Sequence, residues 1–339
     1  MKNEKEQPKT IKVVMPSVTT FEVQYKDDND LKSQICEKLE IEPEFTNLLF
    51  IDEDEDLLPA SIEDLEDFNE VVSSKEPKKI VIVDYIWARQ MIALKEGQKK
   101  LRKAHALVVG AGALGNEIIK NLAWIGFGKI TIVDYDDVEF SNVSRGLFEK
   151  EDIGKNKADV LAEKLEKTSP YVKVKAIPKR VEECNEKLLV ADVILSALDN
   201  MPTRIWLASF CVKNEIPIID GGIKEFQGRV QTSIPGGPCP ACNIPLNKYA
   251  DIMELSNPCE GIEFGAIASF STVASIVAGV QANEAMKIIA GLPTLKGVLL
   301  MDFLKNNYSI MPLEKNKDCF VCGKELTKKL SFEENNNLR

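Results

Sequence analysis

Gly110, Gly112 and Gly115 stand in G-x-G-x-x-G spacing directly after the apolar run Ala106–Val109. Such a turn lets the backbone approach phosphate, and the helix it opens presents free N–H groups and a positive dipole end. Asp134 follows 19 residues after Gly115, at the end of the run Ile130–Val133. There a carboxylate can accept hydrogen bonds from a ribose. NAD and ATP satisfy this constellation equally well. Farther on, the run Val193–Leu198 delivers Asp199, which could either bind a ligand beyond a strand end or cap the helix starting near Pro202. Two C-x-x-C knuckles, Cys239/Cys242 and Cys319/Cys322, suit a tetrathiolate zinc site; two redox dithiols are the alternative. Cys259 lies in the turn-like Asn257–Gly261, ahead of a long apolar helix expected from about Ala266. A helix N-terminus lowers a thiol's pKa and favours the nucleophilic thiolate. Cys36, Cys184 and Cys211 read as packing residues. The single histidine, His105, opens a strand, so histidine acid–base chemistry is not expected.

These residues need a frame. Apolar positions 114, 118, 119, 122, 123 and 125 recur at helical period between the two apolar runs, giving strand, glycine turn, helix, strand and acid. That is a mononucleotide-binding βαβ unit of an α/β, Rossmann-like fold with a mixed, mainly parallel sheet. Ile80 to Lys103 reads as a helical lead-in carrying Arg89. A helix is expected over 155–167, strands at 217–222 and 228–234, and a closing hairpin at 296–312. Upstream, runs at 11–14 and 20–25 predict a hairpin. A short helix follows with Leu31, Ile35 and Leu39 on one face and Asp30 as its cap, and then strands from Leu48. This pattern resembles the α+β β-grasp of ubiquitin. The expected division is a disordered start at 1–9, a ubiquitin-like module at 10–74, a linker at 75–80, a catalytic domain with zinc at 81–323 and a flexible tail at 324–339.

The 339 residues carry a formal charge of −10, unevenly spread. Residues 1–76 hold 8 Lys/Arg against 21 Asp/Glu, leaving 35 against 32 for the rest. An acidic module beside a near-neutral body argues against nucleic acid, which needs clustered basic residues. The start is too polar for a signal peptide, and the stretch 266–291 carries too many polar residues for a membrane span. A cytoplasmic protein is expected, whose eight cysteines serve metal or catalysis before disulfides.

Asp134–Arg145 reads D-x-D-x-V-x-x-S-N-x-x-R, and Gly154–Ala158 reads G-x-x-K-A. With these motifs the chain resembles the ThiF/MoeB/ubiquitin-activating superfamily from Tyr85 to Gly323. Those enzymes adenylate the C-terminal carboxylate of a ubiquitin-like or sulfur-carrier protein ending in Gly-Gly. The resemblance implies that Asp134 holds the ribose of ATP, that Asn142 lines the site, and that Arg145 and Lys157 meet its phosphates. It further implies that Asp199 holds Mg2+, that the four knuckle cysteines hold Zn2+, and that Arg89 reaches the γ-phosphate from the other subunit of a homodimer. Cys259 stands where related enzymes carry the thiol that receives the acyl group for a conjugating enzyme. Gly146 replaces the glutamine usual after the arginine. An adenylyltransferase without thioester transfer is the first alternative. An NAD-dependent dehydrogenase with structural zinc comes next, and a catalytically dead scaffold last.

Overall fold

Ile11, Val13 and Met15 alternate along β1 (Lys9–Met15) and are all buried, so one face of the first sheet is its core. The computed structural model describes residues 9–15, 19–26, 28–51, 57–60, 80–244 and 269–323. The chain divides into two compact units, Met1–Lys100 and Leu101–Arg339. Cys259, the start before Lys9, most of the linker and the tail 324–339 lie outside the described residues.

In the first unit, β1 pairs antiparallel with β2 (Thr19–Tyr25), and α1 (Asp28–Leu39) follows, lying against β2. Leu31, Ile35 and Leu39 are buried on its inner face. Asp30 lies inside the first turn of α1 instead of capping it, and its carboxylate accepts the Lys26 N–H. β3 (Thr46–Ile51) and β4 (Leu57–Ala60) pair antiparallel. The sequence pattern assigned Ile80 onward to a helical lead-in. Instead Ile80–Tyr85 is a strand, β5, parallel to β1 and antiparallel to β3. It occupies the centre of the order β2-β1-β5-β3-β4 and completes a β-grasp arrangement. Two short helices follow, α2 (Ala88–Leu94) and α3 (Glu96–Lys103). The sheet thus extends past the 10–74 span that hydrophobic patterning marks out. The reason for the difference is that β5 carries a continuous apolar run, Ile80–Val83, which periodicity alone does not separate from a helix.

The second unit is a Rossmann-like layer structure. β6 (His105–Val109) enters the glycine turn, α4 (Ala113–Ile125) crosses over, and β7 (Lys129–Val133) returns parallel to β6. α5 (Lys157–Thr168) leads to β8 (Lys173–Ile177), the outer parallel strand. β9 (Val193–Ser196) then pairs on the opposite side of β6, so the strand order reverses between them. α6 (Met201–Lys213) and β10 (Ile218–Lys224) continue outward, with β10 parallel to β9. The remaining strands, β11 (Gln227–Ser233), β12 (Val298–Asp302) and β13 (Asn307–Met311), are antiparallel. Together they form an eight-stranded mixed sheet. Leu107, Val109, Val133, Ile194 and Ile218 pack with Leu207, Phe210 and Cys211 of α6 on one face. α7 (Ser271–Ala290) lies on α4 and reaches β9, β10 and β11. Its fully buried Gln281 donates to the Ser196 and Ile219 carbonyls, tying adjacent strand ends together. No described helix is long and apolar enough to cross a membrane.

Candidate functional site

The reversal of strand order between β6 and β9 is where open α/β sheets bind ligands, beyond the carboxyl ends of the strands. The glycine turn emerges there. Gly110 has φ +96°, and a Cβ on it would stand 2.6 Å from the Ala197 carbonyl oxygen. A Cβ on Gly115 would stand 1.9 Å from the Gly110 oxygen, so α4 starts directly on the turn. A Cβ added at Gly112 would meet nothing within 4 Å, so that side of the turn at the helix N-terminus is open. No carboxylate falls in the first turn of α4, so its dipole is not neutralised from within the helix.

Asp134 arrives from the end of β7 and braces this turn. Its Oδ2 accepts the Ala111 N–H and its Oδ1 accepts the Asp136 N–H at 2.8 Å. Burial raises its pKa, against the pull of these bonds and of Lys157. Each carboxylate oxygen keeps a second lone pair for a ligand hydroxyl. Asn156, the N-cap of α5, ties the next loop down: its amide donates to the Asp134 and Asp136 carbonyls, both at 3.1 Å, while its oxygen accepts the Ala158 N–H at 2.9 Å. Lys157 therefore enters at the head of α5, 8% exposed, with its ammonium 3.1 Å from Asp136. It is not a solvent-facing helix lysine.

Arg145 is held by its own loop and by Ser269, just ahead of α7. Its guanidinium donates to the Ser141 carbonyl at 3.1 Å, to Ser141 Oγ at 3.2 Å and to Ser269 Oγ at 2.9 Å. Asn142 is engaged locally, its oxygen accepting the Glu139 N–H at 2.9 Å. Gly146 borders Asn116, a fully buried side chain of α4. The Asn116 amide donates to the Ala111 carbonyl at 3.1 Å, and its oxygen accepts the Leu147 N–H at 2.8 Å. One side chain thus ties the glycine turn to the arginine loop.

Asp199 follows β9 and is exposed. The helix cap there is Asn200, whose oxygen accepts the Thr203 N–H at 2.9 Å, so capping does not occupy Asp199. Arg204 fixes the preceding peptide by donating to the Leu198 carbonyl while paired with buried Asp220, which also meets Arg229. Burial, then the field of Asp136, raises the pKa of Tyr135, against the pull of the Arg180 guanidinium that covers its ring at 3.9 Å. Gly110, Gly112, Gly115, Asp134, Lys157 and Asp199 therefore gather at one sheet end. Arg89 belongs to the other compact unit, exposed on α2.

The knuckles converge although 76 residues separate them. All four sulfurs lie within 4.8 Å of one another, with Cys239 3.6 Å from Cys319, Cys242 3.4 Å from Cys322, and Cys239 3.9 Å from Cys242. Tetrahedral zinc with bonds of about 2.3 Å puts its sulfurs about 3.8 Å apart. The donor set and spacing therefore fit that metal. The sulfurs of Cys242 and Cys319, then burial, raise the Cys239 thiol above its ordinary pKa; a bound cation reverses this by stabilising thiolate.

Sequence reading missed Asn116, Asn156 and Arg204. Their partners are largely backbone groups that only the fold brings near. The one sequence signal is an amide at 116 inside an otherwise apolar helix face.

Residues 87–321 match the ThiF family. A SAMP-activating enzyme E1 of Haloferax volcanii is 35% identical over 233 residues, covering 67% of this chain and 83% of that protein. A sulfur carrier protein adenylyltransferase of Thermus thermophilus is 33% identical over 255 residues, covering 71% of this chain and 91% of that protein. The crystal structure of E. coli MccB with ATP superposes with a TM-score of 0.60 at 23% identity, over 71% of this chain and 75% of that one, a likeness of fold. A family match over residues 87–321 and two relatives above 30% identity agree with the glycine turn and its surrounding charges: the chain belongs to the ThiF family.

Proposed function

We propose that this chain adenylates the C-terminal carboxylate of a ubiquitin-like or sulfur-carrier protein. The observation that carries the reading is Lys157, a lysine buried beside Asp134 and Asp136 at the open helix N-terminus, in a chain of the ThiF family. The dehydrogenase reading does not require that cation.

In the reaction a carboxylate oxygen bonds to the α-phosphorus of ATP, the bond to the bridging oxygen breaks, and pyrophosphate leaves. Anion approaches polyanion, so fixed positive charge is the chief requirement. The N–H groups at Gly112 and the head of α4 would receive phosphate oxygens. Lys157 would turn from Asp136 to the phosphates, and Arg145, already anchored by Ser141 and Ser269, would add a second charge with little reorganisation. Asp134 would accept the ribose hydroxyls with its remaining lone pairs, and Asn142 would line the site. Arg89 would supply a cation to the γ-phosphate across a homodimer. Mg2+ would neutralise phosphate charge, held by Asp199, whose exposure and freedom from capping suit one carboxylate shared with substrate oxygens. Cys239, Cys242, Cys319 and Cys322 would hold a structural zinc, and the protein would work in the cytoplasm.

For the second half-reaction, Cys259 would attack the acyl-adenylate, forming a thioester and releasing AMP before transfer to a conjugating enzyme. Activation without thioester transfer is the competing reading, favoured by the Thermus relative's match over 91% of its length. Pyrophosphate exchange with Gly-Gly-ended carrier proteins tests the first step; exchange that no carrier stimulates overturns it. A carrier adduct that disappears under thiol and in Cys259→Ala establishes the thioester. Exchange without an adduct leaves the adenylyltransferase.

A further inference from the structure

The β-grasp unit does not end in a free tail. Its central strand β5 turns directly into α2, placing Arg89 four positions after Tyr85. α2 has seven residues, too few to hold a helix or a direction by itself. What orients it is its N-cap residue, Trp87, 2% exposed. The indole sits edge-on to Tyr85, with ring centroids 5.4 Å apart, and to Phe45, at 6.1 Å. The Ile86 N–H donates to the Phe45 carbonyl at 3.3 Å, and the Tyr85 hydroxyl donates to Glu42 at 2.6 Å. The Trp87 carbonyl then accepts the first helical N–H groups, from Gln90 at 2.9 Å and Met91 at 3.0 Å. Met91, on the inner side of α2, is buried as well. Arg89 itself is exposed and makes no hydrogen bond or ion pair among the described residues.

We propose that the β-grasp unit is the mount for Arg89, with Trp87 and Phe45 as positioning residues for the adenylation step. The module's role is then mechanical, distinct from docking a carrier or regulating the enzyme. A guanidinium on a long side chain aids a phosphate only when its base is fixed. Misplacement by about 1 Å can cost on the order of a hundredfold. β5, held on both sides by β1 and β3, supplies that base, and the edge-on aromatic pairs stiffen its exit into α2. The proposal rests on the assignment of Arg89 to the γ-phosphate.

The test compares affinities for ATP and AMP in the full-length protein by calorimetry. AMP lacks the γ-phosphate and so reports on the rest of the site. Arg89→Ala is expected to weaken ATP binding about tenfold and leave AMP binding unchanged. Trp87→Ala and Phe45→Leu should reproduce that selective loss in part, and Trp87→Phe should restore most of it. The pair Trp87→Ala/Arg89→Ala should bind ATP no more weakly than Arg89→Ala alone. If the aromatic variants bind ATP as the parent does while Arg89→Ala does not, the mount is wrong and the assignment of Arg89 stands. Equal losses for ATP and AMP mean general damage and also overturn it. If Arg89→Ala binds ATP normally, the assignment itself fails and the mount falls with it. Should Trp87→Ala not fold, Phe45→Leu carries the comparison, because it thins the ring contact without touching α2.

Discussion

Gly146 stands where the family resemblance implies glutamine, and the structure shows what a side chain there would meet. A Cβ at 146 would lie 2.7 Å from Cγ of Asn116. Asn116 cannot retreat, because it is fully buried and its amide and oxygen are committed to Ala111 and Leu147. Restoring the glutamine should therefore harm this protein. Gly146→Gln is expected to lower stability by about 1–3 kcal/mol, the cost of breaking a buried hydrogen bond or crowding a packed site. It should also loosen the Ala111–Leu147 tie and so weaken ATP binding. Denaturant midpoints with and without ATP check both effects; a variant as stable as the parent would show that Asn116 can move. At this scale the sequence motifs mark residues that the fold brings to one sheet end: the three glycines, Asp134, Lys157 and Asp199. Asn116, Asn156 and Arg204 carry no such motif: Asn116 and Asn156 bond to backbone groups that only the fold brings near, and Arg204 pairs with Asp220 and the Leu198 carbonyl.

The elements show the same division. Strand–turn–helix–strand over 105–133 follows from local apolar patterning, and β6, α4 and β7 fall where that patterning puts them. The pairing of the two knuckles depends on the whole sheet. β11, leading to the first knuckle, and the β12–β13 hairpin, leading to the second, are adjacent antiparallel strands, which returns the chain across the intervening residues. The cysteines then pack with Ile205 and Ala208 of α6, the helix that follows Asp199. A metal there joins the end of the sheet to the element behind the proposed magnesium carboxylate. We expect about one zinc per chain by elemental analysis. Cys319→Ser should lose it and melt at least about 5 °C lower. Because Ala241, Val321, Ile205 and Ala208 are buried around the cysteines and keep their apolar packing, the domain should still fold and bind AMP weakly. Full zinc retention in that variant would refute a four-thiolate site. β5 is the converse case, an element whose type the sequence concealed, since the apolar run Ile80–Val83 shows no alternation to distinguish it from a helix.

For the whole molecule the position of β5 changes how the chain should be divided. A cut after residue 76, at the end of the acidic segment, looks natural from the charge distribution, with 21 of the 53 Asp and Glu residues on one side. It would remove β1, β2, β3 and β4 and leave β5 attached to the rest with both its edges unpaired. An unpaired apolar strand is a template for association. Trp87 would lose Phe45 and the base that orients α2. A cut before Leu101 instead leaves the second compact unit whole. Leu101 is buried, and the Arg102 guanidinium donates to the Gly126 carbonyl at 3.3 Å and the Tyr171 carbonyl at 2.8 Å, so the end of α3 is anchored there. The two truncations should therefore rank opposite to their length. Residues 101–339 should be monodisperse by light scattering and melt cooperatively. They should bind AMP as the full chain does and bind ATP no better than Arg89→Ala. Residues 77–339, although longer and retaining Arg89, should aggregate at comparable concentration. If 77–339 proves the better behaved and binds ATP like the full chain, β5 does not need its sheet and Arg89 does not need the module.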